Sequence, residues 1–204
     1  MTPAAVVLTE ARILDAAEDV LRRFGPAKAT VVDVAKALGV SHGSVYRHFP
    51  TKVALRDAVA RRWLARIAEP LEPAGDTAGP AADRLLRWLQ RLAAIKQGMA
   101  LEDPELFATF SQLTTEAREV VAAHVAHLAA QLTEIVADGV RSGEFSVTDP
   151  ERAGWAVLHA TARFHHPLHA PEWADPAIHG ELTEVWKLLV HGLAPVPDGR
   201  PVRA

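Results

Sequence analysis

Residues Thr30 to Lys52, TVVDVAKALGVSHGSVYRHFPTK, indicate two short helices more clearly than any other segment of this chain. Thr30 and Asp33 form a capping-box pattern, in which the threonine hydroxyl accepts a hydrogen bond from an early backbone N–H. Apolar residues then recur at helical spacing as far as Leu38. Gly39 stands where a helix end needs a left-handed residue, which glycine adopts at low cost. The pattern predicts a short helix that ends in a glycine turn.

A second short helix is predicted directly after this turn. Ser41 is a suitable N-cap, and the helix should run to about Phe49, because Pro50 cannot continue it. Thr51 is placed to cap the next helix, with Lys52 in its first turn. Two short helices joined in this way form a helix-turn-helix.

The outward face of the second helix suits the major groove of DNA. With Val45 and Phe49 turned to the core, Gly43 and Arg47 fall on the opposite face. Gly43 would allow a close backbone approach, and Arg47 is able to donate to guanine O6 and N7. The predicted contacts to base edges come from Arg47 and from His42 or Ser44, with Gly43 admitting the backbone. The predicted phosphate contacts come from Thr30, Ser41, Tyr46, His48 and Lys52. The same motif also occurs as a plain packing unit, in which Tyr46 or His48 would only cap a small core.

From about Thr9 to Ala68 the sequence closely resembles the N-terminal domain of the TetR family of bacterial transcriptional regulators. The resemblance is carried by Thr30, Val34-Ala35, Gly39-Val40-Ser41, Gly43-Ser44, Tyr46, Phe49 and Lys52. It implies an all-α protein in which a three-helix DNA-binding domain is joined by a linking helix, from Thr51 to Ala68, to a larger helical domain. The apolar stripe from Thr9 to Phe24, which Gly25-Pro26 ends, supplies the supporting first helix.

The distribution of charge agrees with a boundary near residue 68. Residues 1–68 hold 11 Lys and Arg against 6 Asp and Glu, whereas residues 69–204 hold 11 against 19. The net charges are therefore +5 and −8. A basic unit attracts DNA phosphates and releases their counterions, and an acidic one does not. We expect a DNA-binding domain over 1–68 and a second domain over 69–204.

Composition excludes several other classes of protein. The chain has no cysteine, so disulfides, thiolate metal sites and cysteine nucleophiles are ruled out. No apolar run approaches the length of a membrane span, and Ala4–Leu8 lacks the basic start and the length of a signal peptide. The expected location is the cytoplasm, and no membrane partner or cofactor is predicted.

The second part of the chain is predicted to be helical throughout. A breaker-rich linker from Pro70 to Pro80 precedes it. The apolar periodicity and the caps predict helices over about 81–97, from Pro104, over about 115–142, 150–165 and 177–192, with a loop over 167–176 and a mobile proline-rich tail.

In the TetR family this second part binds a small molecule and forms the homodimer. Two DNA-binding domains on a palindromic DNA site bind with higher affinity and specificity than one domain does. This reason, which does not depend on the resemblance, also favours a dimer. The residues expected at the dimer interface are Trp155, Leu182, Val185, Trp186, Leu189 and Val190. The residues expected to line a ligand pocket are Trp88, Leu92, Phe107, Phe110, Leu113, His124, Leu128, Leu158 and Phe164, although core packing explains each of them equally well.

The ten histidines raise an alternative of a different class. His159, His165, His166 and His169 cluster in sequence, and His124 and His127 share a helix face. With Asp103, Glu105 or Asp175 they would make a metal-dependent hydrolase, but their spacing matches no metal motif. We expect histidines at the surface or lining a pocket, no metal site and no enzymatic activity.

The resemblance implies a ligand-responsive repressor that binds a palindromic operator as a homodimer. A small molecule would favour a state with wrongly spaced heads, and the helix from Thr51 to Ala68 would carry the displacement. An activator of the same fold and a DNA binder without sequence preference remain alternatives.

Overall fold

A computed structural model describes residues 7–72 and 78–195 of the chain. Every regular element within these ranges is helical, as the sequence predicted. The α-helices are α1 (Glu10–Lys28), α2 (Val31–Leu38), α3 (His42–Tyr46), α4 (Lys52–Ala68), α5 (Ala81–Glu102), α6 (Pro104–Glu116), α7 (Arg118–Ser142), α8 (Pro150–Ala160) and α9 (Ile178–Leu193). Short 3-10 helices cover Glu69–Leu71, Ala162–Phe164 and Pro167–Glu172.

The chain divides into two compact units, which alternate along the sequence. The first unit combines residues 1–66 with 103–122, and the second combines 67–102 with 123–204. Helix α6 therefore belongs to the same unit as the helix-turn-helix, although it follows α5 in the chain. This grouping differs from a single division at residue 68, and the functional boundary at that residue stays a prediction.

The first unit is built around a core shared by α1, α2, α3 and α4. Ile13, Val34, Val45 and Val59 are each at most 3% exposed. Gly25 has φ 72°, so the regular part of α1 ends at Phe24, as the Gly25-Pro26 pair predicted. Burial of these apolar side chains stabilises helices that are too short to persist alone.

An ion-pair network holds α1 against α4. Glu18 is only 8% exposed. Its carboxylate accepts hydrogen bonds from Arg62 Nε at 2.7 Å and from Arg66 Nη2 at 2.7 Å. Arg62 also donates to Asp15 at 2.7 Å. One carboxylate on α1 accepts hydrogen bonds from two arginines that lie one turn apart on α4. These charge-assisted bonds hold the linking helix, α4, against α1.

Helix α6 is held in the first unit by contacts from α4 and α1. The rings of Trp63 and Phe110 lie stacked, with centroids 4.2 Å apart. Arg56 on α4 forms an ion pair with Glu116, the last residue of α6. Asp103 caps the first turn by accepting from Leu106 N at 3.0 Å. These contacts join α6 to the elements that carry the helix-turn-helix.

The second unit has an apolar core formed by α5, α7, α8 and α9. Its most buried side chains, each at most 2% exposed, include Leu85, Leu92, Leu132, Val157 and Ile178. Buried polar groups join its helices across this core. Trp88 Nε1 donates to Gln131 at 2.8 Å, and Gln97 Nε2 donates to the Phe164 carbonyl at 3.0 Å.

Two helix ends differ from the sequence prediction in the region before α7. Helix α5 extends to Glu102 rather than Gln97, because Gly98 keeps helical geometry inside a helix that is already packed. Helix α7 begins at Arg118 rather than Thr115, because α6 continues to Glu116 and Ala117 leaves the helical region.

Two further differences lie after α7. Helix α8 ends at Ala160 rather than near His165, and the 3-10 helix Ala162–Phe164 follows it. The predicted loop over 167–176 contains the 3-10 helix Pro167–Glu172, which Pro167 opens with its fixed φ. The core of the predicted linker, the proline-rich tail and most of Ala4–Leu8 lie outside the described residues.

Helix α7 is more apolar than the sequence analysis allowed. Among the described residues, Arg118–Ser142 is the one helix long and apolar enough, by length and composition, to cross a membrane. The prediction that no apolar run approaches a span was therefore wrong. Leu128, Leu132 and Val136 are at most 2% exposed within the second unit, as in the core helix of a helical domain.

Candidate nucleic-acid interface

The helix-turn-helix forms by the local interactions that its sequence indicates. The hydroxyl of Thr30 accepts from Asp33 N at 3.2 Å, and the Asp33 carboxylate accepts from Thr30 N at 3.1 Å, which completes the capping box. Gly39 has φ 66° and closes α2. Ser41 then caps α3 by accepting from Ser44 N at 3.2 Å.

Helix α3 is shorter than predicted, since its regular part ends at Tyr46 rather than near Phe49. Phe49 N still donates to the Val45 carbonyl at 3.0 Å, so the chain completes one more turn. The residue before a proline avoids helical geometry, and Phe49 precedes Pro50. Val45 and Phe49 are both buried, which anchors the inner side of α3 as predicted.

The opposite side of α3 is open to solvent. Ser41, His42, Gly43, Tyr46 and Arg47 are all exposed. Among the described residues, a methyl group added at Gly43 would meet only Ser41 Oγ, at an ordinary 3.8 Å. Packing within the protein therefore gives no reason for a glycine at this position, whereas a partner that approaches the backbone closely does.

A short chain of hydrogen bonds and a pair of rings order the side chains on this surface. Arg47 donates to Ser44 Oγ at 3.2 Å, and Ser44 Oγ lies 2.9 Å from Ser41 Oγ. The rings of His42 and Tyr46 meet edge to face, with centroids 6.3 Å apart. Both contacts reduce the conformational freedom that the side chains would lose on binding a groove.

The predicted phosphate contacts lie on both sides of α3. Thr30 is exposed at the start of α2, Lys52 is exposed at the start of α4, and His48 is half-buried after α3. Within the described part of the chain, Lys28, Lys36 and Lys52 have no ion-pair partner, unlike Arg62 and Arg66. The solvent-facing positive charge of this unit thus includes the lysines around the helix-turn-helix.

The predicted pocket residues fall into two groups. Phe107, Phe110 and Leu113 lie on α6 in the first unit, and Phe110 packs on Trp63. The other six lie in the second unit, where His124 is partly exposed and the rest are buried. Their buried positions do not separate lining a pocket from packing in a core, and the assignment stays a prediction.

The second unit buries polar groups that the sequence analysis did not select. Lys96 is 7% exposed, and burial lowers its pKa to about 8. The sequence feature that indicates this burial is the position of Lys96 on the apolar face of α5, at helical spacing after Leu85, Leu89 and Leu92. Trp88, a predicted pocket residue, donates a hydrogen bond from its indole N–H to the side chain of Gln131.

The histidines occupy separate structural roles. His165 is buried, with Nε2 3.2 Å from the Leu158 carbonyl. His169 bonds Glu172, His166 accepts from Leu168 N, and His159 lies against the Trp155 ring. Nowhere in the described ranges do three histidine, aspartate or glutamate side chains converge as a metal would require. The residues that the metal-hydrolase alternative needs are thus not brought together.

The predicted dimer residues on α8 and α9 differ in exposure. Leu182 and Trp186 are 4% and 7% exposed, so they pack within their own unit. Trp155, Val185, Leu189 and Val190 are partly exposed. Leu188, which the sequence analysis did not select, is 76% exposed. The exposed side of α8 and α9 is thus partly apolar, and the assignment of the dimer interface stays a prediction.

Two family descriptions match successive parts of the chain. Residues 13–59 match the family described as bacterial regulatory proteins, tetR family. Residues 81–186 match the tetracyclin repressor-like C-terminal domain, which spans more than half of the chain.

A curated relative from Mycobacterium tuberculosis, an uncharacterized HTH-type transcriptional regulator, is 34% identical over 91 residues. The match covers 44% of this chain and 45% of that relative, less than half of either protein. Among solved structures, a Rhodococcus protein of unknown function superposes with TM-score 0.69 at 25% identity, covering 96% of this chain and 100% of that one.

The transcriptional regulator FadR from Bacillus subtilis, solved in complex with stearoyl-CoA, superposes with TM-score 0.66. It is 20% identical, and the match covers 91% of this chain and 100% of that one, so the likeness concerns the fold alone. Both parts of the chain match the corresponding domains of one family, and the helix-turn-helix has the geometry that the motif requires. The chain therefore belongs to the TetR family of bacterial transcriptional regulators.

Proposed function

We propose that this protein is a cytoplasmic, ligand-responsive repressor that binds a palindromic operator as a homodimer. The observation that carries the proposal is the exposed face of α3, where Gly43 lies open and Ser44 holds Arg47. This face combines a close backbone approach with a guanidinium that is partly ordered before binding.

In this proposal the residues of the helix-turn-helix divide by role. Arg47 donates to guanine from the exposed face of α3, and His42 and Ser44 read neighbouring base edges. Ser41, Tyr46, His48 and Lys52 contact phosphates, together with Thr30 at the start of α2. The Thr30 hydroxyl already donates to Asp33 at 2.6 Å, so this residue contributes mainly by placing the N-terminus of α2.

A second copy is needed because one head reads too few base pairs. Apolar side chains that reach the surface of α8 and α9 supply a candidate surface for the partner, namely the partly exposed Trp155, Val185, Leu189 and Val190 and the exposed Leu188. Covering Leu188, which is mostly exposed, would add apolar burial that the monomer lacks. The resulting two-fold axis would place the two heads on the half-sites of a palindrome.

Release by an effector requires a link between the two units. The chain passes from one unit to the other at residues 66/67, 102/103 and 122/123. A shift of α5 or α7 thus reaches α6 through the backbone itself. Helix α6 holds α4 through the Trp63–Phe110 stack and the Arg56–Glu116 ion pair. The effector acts by binding more tightly to the state in which the heads are wrongly spaced.

Selection of bound sequences from a random DNA pool tests the DNA part of the proposal. We expect enrichment of an inverted repeat whose half-sites lie about one helical turn apart, or a multiple of it. Enrichment of no motif, with affinity that depends only on salt, would instead show binding through phosphates alone. Sedimentation of the protein with the selected DNA then counts the subunits bound for each site.

A reporter gene placed behind the selected site tests the direction of regulation. We expect expression to fall when the protein is supplied and to recover in an Arg47→Ala variant. A rise in expression with the wild-type protein would identify an activator.

A further inference from the structure

A buried lysine lies in the second unit with no partner. Lys96 is 7% exposed on the apolar face of α5. Within residues 7–72 and 78–195 it has neither a hydrogen bond nor an ion pair, whereas the other buried polar side chains of this unit, such as Gln97 and Gln131, are bonded. Lysine is almost never buried in this way unless it is paired.

The surroundings of Lys96 are histidines rather than carboxylates. Helices α5 and α7 pair through Arg84 and Asp138 at 2.8 Å and through Trp88 and Gln131 at 2.8 Å, so they run antiparallel, and the same register sets Lys96 opposite His124. The charge of Lys96 also lowers the pKa values of His124, His165 and His166, after the larger effect of burial on each. Burial is the single cause that moves the pKa of Lys96, and no carboxylate in the described ranges acts to raise it. The cluster therefore contains a cation and neutral imidazoles, without a counter-charge.

One of these imidazoles also lacks a hydrogen-bond partner. His124 Nε2 is buried and bonds nothing in the described part of the protein. His165 differs, because its Nε2 lies within 3.2 Å of both Thr161 Oγ1 and the Leu158 carbonyl. An unpaired buried donor or acceptor destabilises the fold, so natural proteins rarely keep one without a use. Lys96 and His124 together present two unmatched polar groups in one cluster.

We propose that Lys96 and His124 bind the carboxylate of a small-molecule effector, and that its apolar part lies beside Leu92, Leu128 and Leu158. This inference rests on the proposed function, since it names the class of effector. Leu92 lies one helical turn before Lys96, and Leu128 lies one turn after His124. The Leu158 carbonyl is held by His165. Each leucine is at most 4% exposed.

The charge of the cluster favours a monoanion. At neutral pH the ammonium of Lys96 supplies one positive charge, and a neutral His124 with its proton on Nε2 supplies one further donor. A carboxylate matches this pair with its single charge and two oxygens. A phosphate dianion would leave one negative charge buried without compensation, which is costly in an apolar core.

A panel of carboxylic acids, each paired with its own primary amide, tests the proposal on the full chain. Straight-chain acids from four to twelve carbons, benzoate and phenylacetate are titrated by calorimetry, with thermal shifts as a second readout. We expect at least one acid to bind wild-type protein ten times or more tightly than its amide. Equal affinity for acid and amide across the panel would overturn the proposal.

Lys96→Met removes the charge and keeps the length of the side chain. We expect it to lose the preference for the acid while it unfolds at the same or a higher temperature, because it no longer buries a charge. Lys187→Met is the matched control, since it removes an exposed lysine from the same unit and should keep the preference. A Lys96→Met protein that still prefers the acid would contradict the site.

His124→Leu gives a second, independent variant. It leaves Lys96 in place and removes the donor, so the affinity for the acid should fall several-fold. If Lys96→Met does not fold, this variant decides the question, and an unchanged preference for the acid would contradict the site.

Release of operator DNA separates the two proposals. An acid that binds through Lys96 without releasing DNA would uphold the carboxylate site and overturn ligand-responsive regulation. A neutral effector that releases DNA equally from wild-type and Lys96→Met protein would uphold ligand-responsive regulation and overturn the carboxylate site. Release of wild-type protein by the acid, with loss of that response in Lys96→Met, would support both.

Discussion

The indole ring of Trp63 on α4 lies parallel to the phenyl ring of Phe110 on α6, with the two planes within 6° and the centroids 4.2 Å apart. Phe110 is fully buried and Trp63 is 5% exposed. Helix α6 follows α5 after a single residue, Asp103, where the chain returns from the second unit to the first. The stack therefore packs the first helix after this crossing against the linking helix, α4. Loss of the stack should therefore weaken both the fold of the first unit and its response to an effector.

Phe110→Ala tests the contribution of this contact. Removal of a fully buried phenyl ring leaves a cavity, and we expect the free energy of unfolding to fall by about 3–5 kcal/mol. Val53→Ala on α4 is the control, because Val53 is 63% exposed and should change that value little. Urea denaturation monitored by circular dichroism provides the measurement. Equal stability of the two variants would show that α6 is not anchored through Phe110.

The carboxylate of Glu18 makes a second link to α4. It receives Arg62 and Arg66 at 2.7 Å each. Glu18→Ala should lower the free energy of unfolding by about 1.5–3 kcal/mol, the range for hydrogen bonds to a charged group. The full cost of breaking a buried ion pair is not expected, since Arg66 is 44% exposed and water can replace its partner.

Asp19→Ala serves as the matched comparison for this prediction. Asp19 neighbours Glu18 on α1, but its side chain is 75% exposed, and it pairs with Arg22 alone among the described residues. Exposed pairs contribute about 0–1 kcal/mol. If both alanine variants melted at the same temperature, the Glu18 network would have no special part in joining α1 to α4.

Two glycines of the helix-turn-helix should respond in opposite ways to alanine. Gly39 has φ 66°, which strains any other residue, and Gly39→Ala should cost about 1 kcal/mol of stability. Gly43 has helical geometry and free space, so Gly43→Ala should keep or slightly raise stability. It should nevertheless bind operator DNA more weakly, because the methyl group holds the helix away from the groove.

Thermal melts and electrophoretic shifts on the same two proteins check this reversal. A Gly43→Ala protein with wild-type affinity would show that the backbone of α3 does not closely approach DNA. A stable Gly39→Ala protein would contradict the left-handed turn.

The burial of His165 predicts a dependence of stability on pH. Its pKa falls from 6.5 to about 3, first because of burial and then because of the charge of Lys96. The unfolded chain binds this proton below about pH 6.5 and the folded chain does not, so stability is lost as the pH falls from about 6.5 toward 3. Between pH 7 and pH 5 this one group should account for a loss of about 2 kcal/mol.

His165→Gln keeps a hydrogen-bond donor and removes the titration. Urea midpoints at pH 7 and pH 5 should differ less for this variant than for wild-type protein, by about 2 kcal/mol when converted. His191→Gln, which changes an exposed histidine of α9, should keep the wild-type difference. Identical pH responses of wild-type and His165→Gln protein would contradict a buried neutral imidazole.

The sequence predicts the helix-turn-helix better than it predicts how the later helices pack, for physical reasons. The Thr30–Asp33 cap and the turn at Gly39 are local interactions, so residue types and spacing were sufficient. The placement of α6 beside α1 and α4 depends on contacts between residues about fifty positions apart, such as Trp63 and Phe110. Periodicity identifies that helix as amphipathic but does not name the partner of its apolar face.

Lys96 shows the same limit at a single residue. Its spacing after Leu92 placed it on the buried side of α5, yet a lysine at a helix position is ordinarily read as a solvated side chain. Its lack of a partner depends on what α7 and the segment after α8 bring near it, which no local pattern specifies. Likewise, the burial of Leu182 and Trp186 within their own unit could not be separated from a role between subunits.

If α3 reads DNA sequence through Arg47, loss of this side chain should weaken binding of the selected operator, which fluorescence anisotropy measures. Arg47→Ala should lose about 1–3 kcal/mol of specific binding, or roughly fivefold to 150-fold in affinity, while its affinity for unrelated DNA changes little. Arg152→Ala removes an equal charge from a side chain that is 90% exposed on α8, and it should bind as wild type does. If Arg47→Ala bound the operator as tightly as the wild-type protein, recognition through α3 would be contradicted.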